Sequence, residues 1–169
     1  MTTTARTPEP AHDVLQSPRS IWNDVPSLAT ANELSGRSLI GHLGIEFIEV
    51  GDDYLIARMP VDNRTRQPLG LLHGGASVTL AETLASWAAI LTIDHDQASC
   101  VGMEINANHI RPVASGWVSG VARPIALGRT TQVWEIRITD EDERLVCVSR
   151  CTMAVIPRPA QHGLSSRQT

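Results

Sequence analysis

One long apolar segment constrains the fold of this chain more than any other feature. It covers residues 70–91 and reads GLLHGGASVTLAETLASWAAIL. Its bulky side chains recur at helical spacing, at Leu80, Leu84, Trp87 and Leu91. This spacing predicts a helix over about residues 74–93 whose bulky face packs against a sheet. Because a carboxylate and several hydroxyls interrupt the segment, we expect a buried core helix rather than a membrane span.

Glu82 is the one charged residue of this helix. The residues three and four positions away are small or medium in size: Val78, Thr79, Ala85 and Ser86. No Lys or Arg lies within one turn, and an unpaired buried carboxylate costs free energy. Glu82 therefore pairs with a distant Arg, such as Arg111 or Arg129, reaches solvent, or takes part in chemistry. The sequence alone leaves these interpretations open.

The start of the helix supplies a second chemical feature. His73, Gly74 and Gly75 place free backbone N–H groups at a helix N-terminus, where they can polarise a carbonyl or stabilise an oxyanion. Gly74 and Glu82 are separated by roughly 12 Å along the helix, at ~1.5 Å per residue. One helix can hardly bring both groups to one carbonyl. If both are catalytic, we expect the site to lie between two subunits of a homodimer.

The rest of the chain indicates an α+β fold with an antiparallel sheet. Period-two segments predict strands at 44–50, 54–61, 101–110, 117–125, 131–139 and 145–156. A weaker helical signal covers residues 21–40, with Ser27 or Thr30 as its cap and Gly36 as its end. We expect a disordered tail at 1–20, one domain at 21–157 and a C-terminal tail at 158–169.

The composition of the chain limits the classes of partner and the compartment that we expect for it. The chain has 14 Lys and Arg against 18 Asp and Glu, a net charge of −4, which gives no general attraction for nucleic acid or an anionic membrane. Its three cysteines, Cys100, Cys147 and Cys151, lack metal-like spacing and are expected to be reduced, buried thiols. Residues 1–20 contain no apolar core of a signal peptide. We therefore expect a cytoplasmic protein.

Four segments together resemble a known family. They are HLGIEFIEVGDDYLIARMPVD, QPLGLLHGGASVTLAETLAS, VGMEINANHIRPVASGWVSG and LGRTTQVWEI. The chain resembles the hotdog-fold acyl-CoA thioesterases over about residues 35–156, in the branch of the Arthrobacter-type 4-hydroxybenzoyl-CoA thioesterase. The resemblance implies a hotdog fold, in which an antiparallel sheet wraps around one long buried helix. It also implies a homodimer or homotetramer with active sites between subunits.

The resemblance assigns catalytic roles to five residues. Glu82 matches the carboxylate that acts as base or nucleophile, and the Gly74 N–H matches the group that polarises the thioester carbonyl. Gln67 matches a glutamine that assists at the carbonyl or the leaving group, although on its own it reads as a loop residue. His73 matches a supporting histidine, and Ser86 matches the hydroxyl that positions water.

A second set of residues matches the segments that bind the substrate and its coenzyme A moiety. They are Gly102, His109, Ile110, Arg111, Gly128, Arg129, Thr130 and Thr131. The arginines can take phosphates, although a single surface Arg is more often only solvated.

The resemblance implies hydrolysis of an aromatic or bulky acyl-CoA, such as a hydroxybenzoyl or dihydroxynaphthoyl thioester. No metal or redox cofactor is expected, since coenzyme A is part of the substrate. Three alternatives stay open: hydrolysis of aryl carrier protein thioesters, dehydration of an acyl-CoA on the same fold, and acyl-CoA binding without catalysis.

Overall fold

The structure is a computed structural model that describes residues 20–158. The expected tails at 1–20 and 158–169 lie almost wholly outside the described residues. The described elements, in chain order, are α1 (Leu28–Ser35), α2 (Leu39–Leu43), β1 (Glu46–Val50), β2 (Leu55–Pro60), α3 (Gly74–Leu91), β3 (Ala98–His109), β4 (Trp117–Leu127), β5 (Thr131–Asp140) and β6 (Leu145–Pro157).

The six strands form one antiparallel sheet in the order β1-β2-β4-β5-β6-β3. Helix α3 packs against β2, β3, β4, β5 and β6, so the sheet wraps around it. The α+β hotdog arrangement expected from the sequence is confirmed. Each predicted strand is present, and β3 begins three residues before the predicted start because Ala98 already pairs with Pro157 of β6.

The bulky face of α3 lies against the sheet, as its spacing predicted. Leu80 and Leu84 are fully buried, and they meet the inward-facing side chains of β5, among them Trp134 and Ile136. Full burial of such a side chain stabilises the fold by about 1.5–3 kcal/mol. The packing is close at β4, where a Cβ on Gly120 would lie 2.6 Å from Cδ1 of Leu84. The position of α3 is therefore fixed tightly relative to the sheet.

The segment before α1 is anchored to the end of α3. The Trp22 ring stacks on Trp134 at a centroid distance of 6.2 Å, and its Nε1–H donates to the Gly51 carbonyl at 2.6 Å. The Asn23 N–H donates to the Leu91 carbonyl at 2.7 Å. These contacts place the start of the domain beside the last turn of α3.

The weak helical signal over residues 21–40 falls where the structure has helix α1 and the start of helix α2. Helix α1 is capped by Ser27, whose side chain accepts from the Thr30 N–H, and it ends at Gly36 as predicted. The five-residue helix α2 was not predicted, because it is too short to show a period. Helix α3 starts at Gly74 as predicted and ends at Leu91, two residues early.

Strand β3 lies at one edge of the sheet. Within residues 20–158 it pairs on one side only, with β6, and it carries an irregularity between Gly102 and Glu104. Its other edge presents unpaired backbone groups, which are a template for another strand. None of the described helices is long and apolar enough to cross a membrane.

Candidate active site

His73 caps helix α3 and thereby selects which N–H remains available. Its Nδ1 accepts a hydrogen bond from the Gly75 N–H at 2.8 Å. The Ala76 and Ser77 N–H groups donate to the His73 carbonyl. Among the described residues, the Gly74 N–H has no hydrogen-bond partner. That donor lies at the positive end of the helix dipole, where negative charge is stabilised.

Gly74 opens onto a pocket of about 320 Å³, which we call the Gly74 pocket. It is lined by Gln67, Leu71, Leu72, Gly74, Ser77, His109, Ile110, Arg111, Pro112 and Val146. The imidazole of His109 lies close to the helix start, since a Cβ on Gly74 would be 2.8 Å from its Nε2. The structure therefore brings five of the predicted site residues to one place.

Gln67 is held in the loop that precedes α3. Its backbone N–H donates to the Leu71 carbonyl at 2.8 Å, and its side-chain oxygen accepts from the Leu69 N–H. Because the oxygen is engaged within the loop, the side-chain NH₂ is the group that can donate to a ligand in the Gly74 pocket.

Glu82 lies two turns further along α3 and is exposed in the single chain, although the helix around it is largely buried. The physical reason is that the sheet covers the opposite face of the helix and ends at β3. Its Oε1 lies over this last strand, 3.0 Å from where a Cβ on Gly102 would be. No ion pair joins Glu82 to Arg111, Arg129 or any other residue in the part of the chain that the structure describes.

The negative charge of Glu82 affects the pKa of a thiol that is buried in the sheet. Burial, and after it the negative charges of Glu82 and Glu104, raise the pKa of the Cys151 thiol to about 11. Cys147 and Cys151 are buried as expected, whereas Cys100 is only half-buried.

A second pocket, the Ser86 pocket, begins one turn after Glu82 and has a volume of about 470 Å³. Its lining is Asp24, Pro26, Leu34, Ser86, Trp87, Ile90, Leu91, His95 and Cys100. The Trp87 ring is held by Phe47 at a centroid distance of 4.9 Å. Most of the lining is apolar, which suits a hydrophobic group bound next to the carboxylate.

The second group of expected coenzyme A contacts lies elsewhere in the chain. Residues 128–130 form the turn between β4 and β5, in which the Gly128 N–H donates to the Thr131 carbonyl at 2.9 Å. A Cβ at Gly128 would lie 2.6 Å from that same oxygen, so the turn requires glycine. The Val155 N–H donates to the Thr130 carbonyl at 2.9 Å, and Arg129 is exposed.

This turn and the Gly74 pocket are at opposite ends of the sheet. On β6, Ala154 pairs with Thr131, whereas Cys147 pairs with His109. Seven residues of a strand span roughly 23 Å at ~3.3 Å per residue. Within one chain, the structure thus does not bring Arg129 together with Arg111.

Two lining residues of the Ser86 pocket were missed from the sequence. Asp24 comes from the segment before α1, and His95 comes from the turn after α3. Neither lies in a motif, and only the tertiary fold brings them together. Within residues 20–158, no group of three His, Cys, Asp or Glu side chains is arranged to hold a metal ion.

Comparison with known proteins gives consistent matches. The thioesterase superfamily matches residues 69–147. The 1,4-dihydroxy-2-naphthoyl-CoA hydrolase of Escherichia coli is 49% identical over 136 residues, which cover 80% of this chain and 99% of that protein. The proofreading thioesterase EntH of Cronobacter turicensis is 52% identical over 136 residues, covering 80% of this chain and 98% of that protein.

Solved structures agree with these matches. A mutant thioesterase from Pseudomonas aeruginosa superposes with a TM-score of 0.81 at 51% identity, covering 82% of this chain and 100% of that one. A thioesterase from Haemophilus influenzae superposes with a TM-score of 0.80 at 48% identity, covering 84% and 99% of the two chains. This chain belongs to the thioesterase superfamily and is a thioester hydrolase.

Proposed function

We propose that this chain hydrolyses acyl-CoA thioesters with an aromatic or otherwise bulky acyl group, at sites shared by two copies of the chain. The observation that carries the proposal is the division of chemistry along α3. Gly74 lines one pocket, and Glu82 lies two turns away, one turn before the Ser86 that lines another. Neither half can complete the reaction alone.

Pairing of the edge strand β3 with its copy in a second chain would bring the Gly74 half of the site to the Glu82 half. Gly74 lies against His109 near the end of β3, and Glu82 lies over Gly102 near its beginning. Two β3 strands paired antiparallel about a point between Ile105 and Asn106 would bring Gly102 of one chain opposite His109 of the other. A twofold axis would then create two equivalent sites, each with Gly74 from one subunit and Glu82 from its partner.

The same pairing would help to assemble the coenzyme A contacts. The turn at 128–130 lies near the end of β3 that carries Val101, because Ala154 of β6 pairs with both Val101 and Thr131. Antiparallel pairing would turn this end toward Arg111 of the partner. Arg111 and Arg129 would then approach one nucleotide from two subunits and bind its phosphates with charge-assisted hydrogen bonds.

The proposed reaction follows from these groups. The Glu82 carboxylate takes a proton from a water molecule held by Ser86, and the water oxygen attacks the thioester carbonyl carbon. The Gly74 N–H, assisted by Gln67, stabilises the negative charge on the carbonyl oxygen. The C–S bond then breaks, and the proton passes to the departing sulfur, which gives a free acid and coenzyme A. Direct attack by Glu82, followed by hydrolysis of the anhydride, gives the same products.

The Ser86 pocket supports the preference for a bulky acyl group. Its volume of about 470 Å³ exceeds what a short acyl chain fills, and Trp87 offers an aromatic face. The same chemistry would act on a carrier-protein thioester. The relative named as a proofreading thioesterase supports that substrate as an alternative. A tetramer and a cytoplasmic location remain predictions.

A hydrolysis panel with Glu82→Gln tests the catalytic assignment. We expect the variant to lose about 10²–10⁴-fold in kcat, the typical contribution of a general base. Glu33→Gln removes the same charge from exposed α1 and should keep full activity. The panel contains benzoyl-, naphthoyl-, acetyl- and octanoyl-CoA, and the aromatic thioesters should have the highest kcat/KM. Equal rates for Glu82→Gln and the unaltered enzyme would refute the assignment.

A further inference from the structure

The proposed reaction needs a proton donor beside the sulfur atom of the thioester. An alkyl thiolate is a stronger base than a carboxylate, since the ordinary pKa values of cysteine and glutamic acid side chains are about 8.5 and 4.3. When Glu82 attacks directly, the tetrahedral intermediate therefore expels Glu82 again unless the sulfur is protonated as it leaves. When water attacks instead, the same donor completes the thiol.

The Gly74 pocket is lined by several polar side chains, and one of them can act as this donor. The polar side chains are those of Gln67, Ser77, His109 and Arg111. A glutamine amide and a serine hydroxyl do not release a proton near neutral pH, and an arginine keeps its proton. An imidazole gains and loses a proton in this range. Among the lining residues, His109 is therefore the candidate acid.

His109 lies beside the group that polarises the carbonyl. It is the last residue of β3, where its backbone pairs with Cys147 of β6. A Cβ on Gly74 would be 2.8 Å from Nε2 of His109. Because that Cβ and the Gly74 nitrogen are bonded to the same Cα, Nε2 is also close to the Gly74 N–H. The sulfur is bonded to the carbonyl carbon, so a thioester whose oxygen accepts from this N–H brings its sulfur within reach of the imidazole.

The His109 imidazole has no hydrogen-bond or ion-pair partner among residues 20–158. His73, the other histidine near the helix start, differs in this respect. Its Nδ1 accepts from the Gly75 N–H, and its side chain lines a different pocket, with Thr79 and Leu43. His73 is thus engaged in the helix cap, whereas both ring nitrogens of His109 are available to a substrate.

We propose that protonated His109 is the acid that protonates the leaving sulfur. The Nε2–H proton passes to the sulfur as the C–S bond breaks, and the electron pair of that bond stays on the sulfur. Coenzyme A leaves as the thiol, and the neutral imidazole regains from solvent the proton that the attacking water has lost. One thioester and one water then give one acid and one thiol. This inference rests on the proposed function, because it places the carbonyl at the Gly74 N–H.

The test compares two benzoyl thioesters that lack the nucleotide and differ in the thiol that leaves. The N-acetylcysteamine ester releases an alkyl thiol, as coenzyme A esters do. The 4-nitrothiophenol ester releases a thiolate that the aromatic ring stabilises, so it needs no proton to leave. His109→Gln should lower kcat/KM for the alkyl ester by about 10²–10⁴-fold, the typical contribution of a general acid, and change it little for the aryl ester. The readout is the ratio of the two values, which cancels any difference in the amount of folded protein.

A matched control and a second substrate separate this role from binding. His42→Gln removes an exposed imidazole of α2 that lines neither the Gly74 pocket nor the Ser86 pocket, and it should leave both values unchanged. On benzoyl-CoA, the loss in His109→Gln should appear in kcat. A residue that only binds the nucleotide would change KM instead and would leave the two truncated thioesters unaffected.

The outcomes distinguish this inference from the proposed function. An unchanged ratio in His109→Gln, whether both values fall together or neither falls, would overturn the assignment of the acid. A loss on benzoyl-CoA that is confined to KM, or no loss at all, would overturn it as well. Full activity in Glu82→Gln, or no turnover of benzoyl-CoA by the unaltered enzyme, would instead overturn the proposed function itself.

Discussion

At the scale of the residue, helix α3 carries two chemical groups, the Glu82 carboxylate and the Gly74 N–H, which has no hydrogen-bond partner among the described residues. In the sequence, Glu82 stands out because one carboxylate interrupts an apolar helix, and Gly74 stands out because a glycine pair follows His73 at the helix start. Local spacing was enough for both. Spacing could not decide whether Glu82 is buried or exposed, because that depends on where the sheet ends.

The capping role of His73 could not be predicted from the sequence either. The family resemblance gave this residue only a supporting role, whereas the structure has its Nδ1 accept the Gly75 N–H. The consequence is that the Gly74 N–H is left as the available donor. Asp24 and His95 gave no signal at all, since their proximity arises from the whole fold.

The cysteine thiols provide a prediction at this scale. At about pH 8, a thiol with a pKa of about 11 is ionised in roughly one molecule in a thousand, and only the thiolate reacts. We therefore expect Cys151 to be alkylated far more slowly in the native protein than in urea, as measured by mass spectrometry of tryptic peptides. Burial raises the pKa of Cys100 and Cys147 as well, but half-buried Cys100 should react first.

The Cys151 prediction has an internal check. Because the charge of Glu82 contributes to raising the thiol pKa, Glu82→Gln should speed the alkylation of Cys151 while leaving Cys147 unchanged. Native alkylation of Cys151 as fast as in the unfolded chain would contradict the buried position of this thiol.

At the scale of the element, sequence periodicity predicted the long helix and all six strands. Strands β1 to β6 were visible from period-two alternation, and α3 from its bulky stripe. Helix α2 was missed because five residues give no period, and the early start of β3 was missed because pairing with β6 extends it. Which strand lies at the edge was also not predicted, since strand order depends on long-range contacts.

The fit of α3 on the sheet provides a prediction at this scale. A methyl group at Gly120 would press on Leu84, so Gly120→Ala should lower the free energy of unfolding by about 1–3 kcal/mol, as expected for overpacking. Urea unfolding followed by circular dichroism measures the loss. Gly36→Ala is the matched control, because Gly36 has helical φ and ψ and room for a methyl group. Equal stability of the Gly120→Ala variant and the unaltered protein would contradict the close packing.

At the scale of the whole molecule, the proposed division of the site between two subunits follows in outline from the sequence. The roughly 12 Å between Gly74 and Glu82 follows from helix geometry alone and already favoured a site between subunits. The sequence could not show that β3 leaves an open edge, or that the turn at 128–130 and the Gly74 pocket lie at opposite ends of the sheet. These facts arise from the order and register of six strands.

The central claim is that each active site takes Gln67 and Gly74 from one subunit and Glu82 from the other. Complementation in mixed oligomers tests it most directly. Gln67→Ala and Glu82→Gln chains, each impaired alone, are co-expressed with different tags and purified as the mixed species and as a random mixture. In a mixed dimer one site carries both substitutions, and the other site carries neither.

The measurement is kcat per site for benzoyl-CoA. A random mixture of equal amounts should recover about one quarter of the activity of the unaltered enzyme, because half of the dimers are mixed and each has one intact site. The purified mixed dimer should recover about half by the same count. If both preparations show only the average of the two parent variants, the site lies within one chain and the account is contradicted.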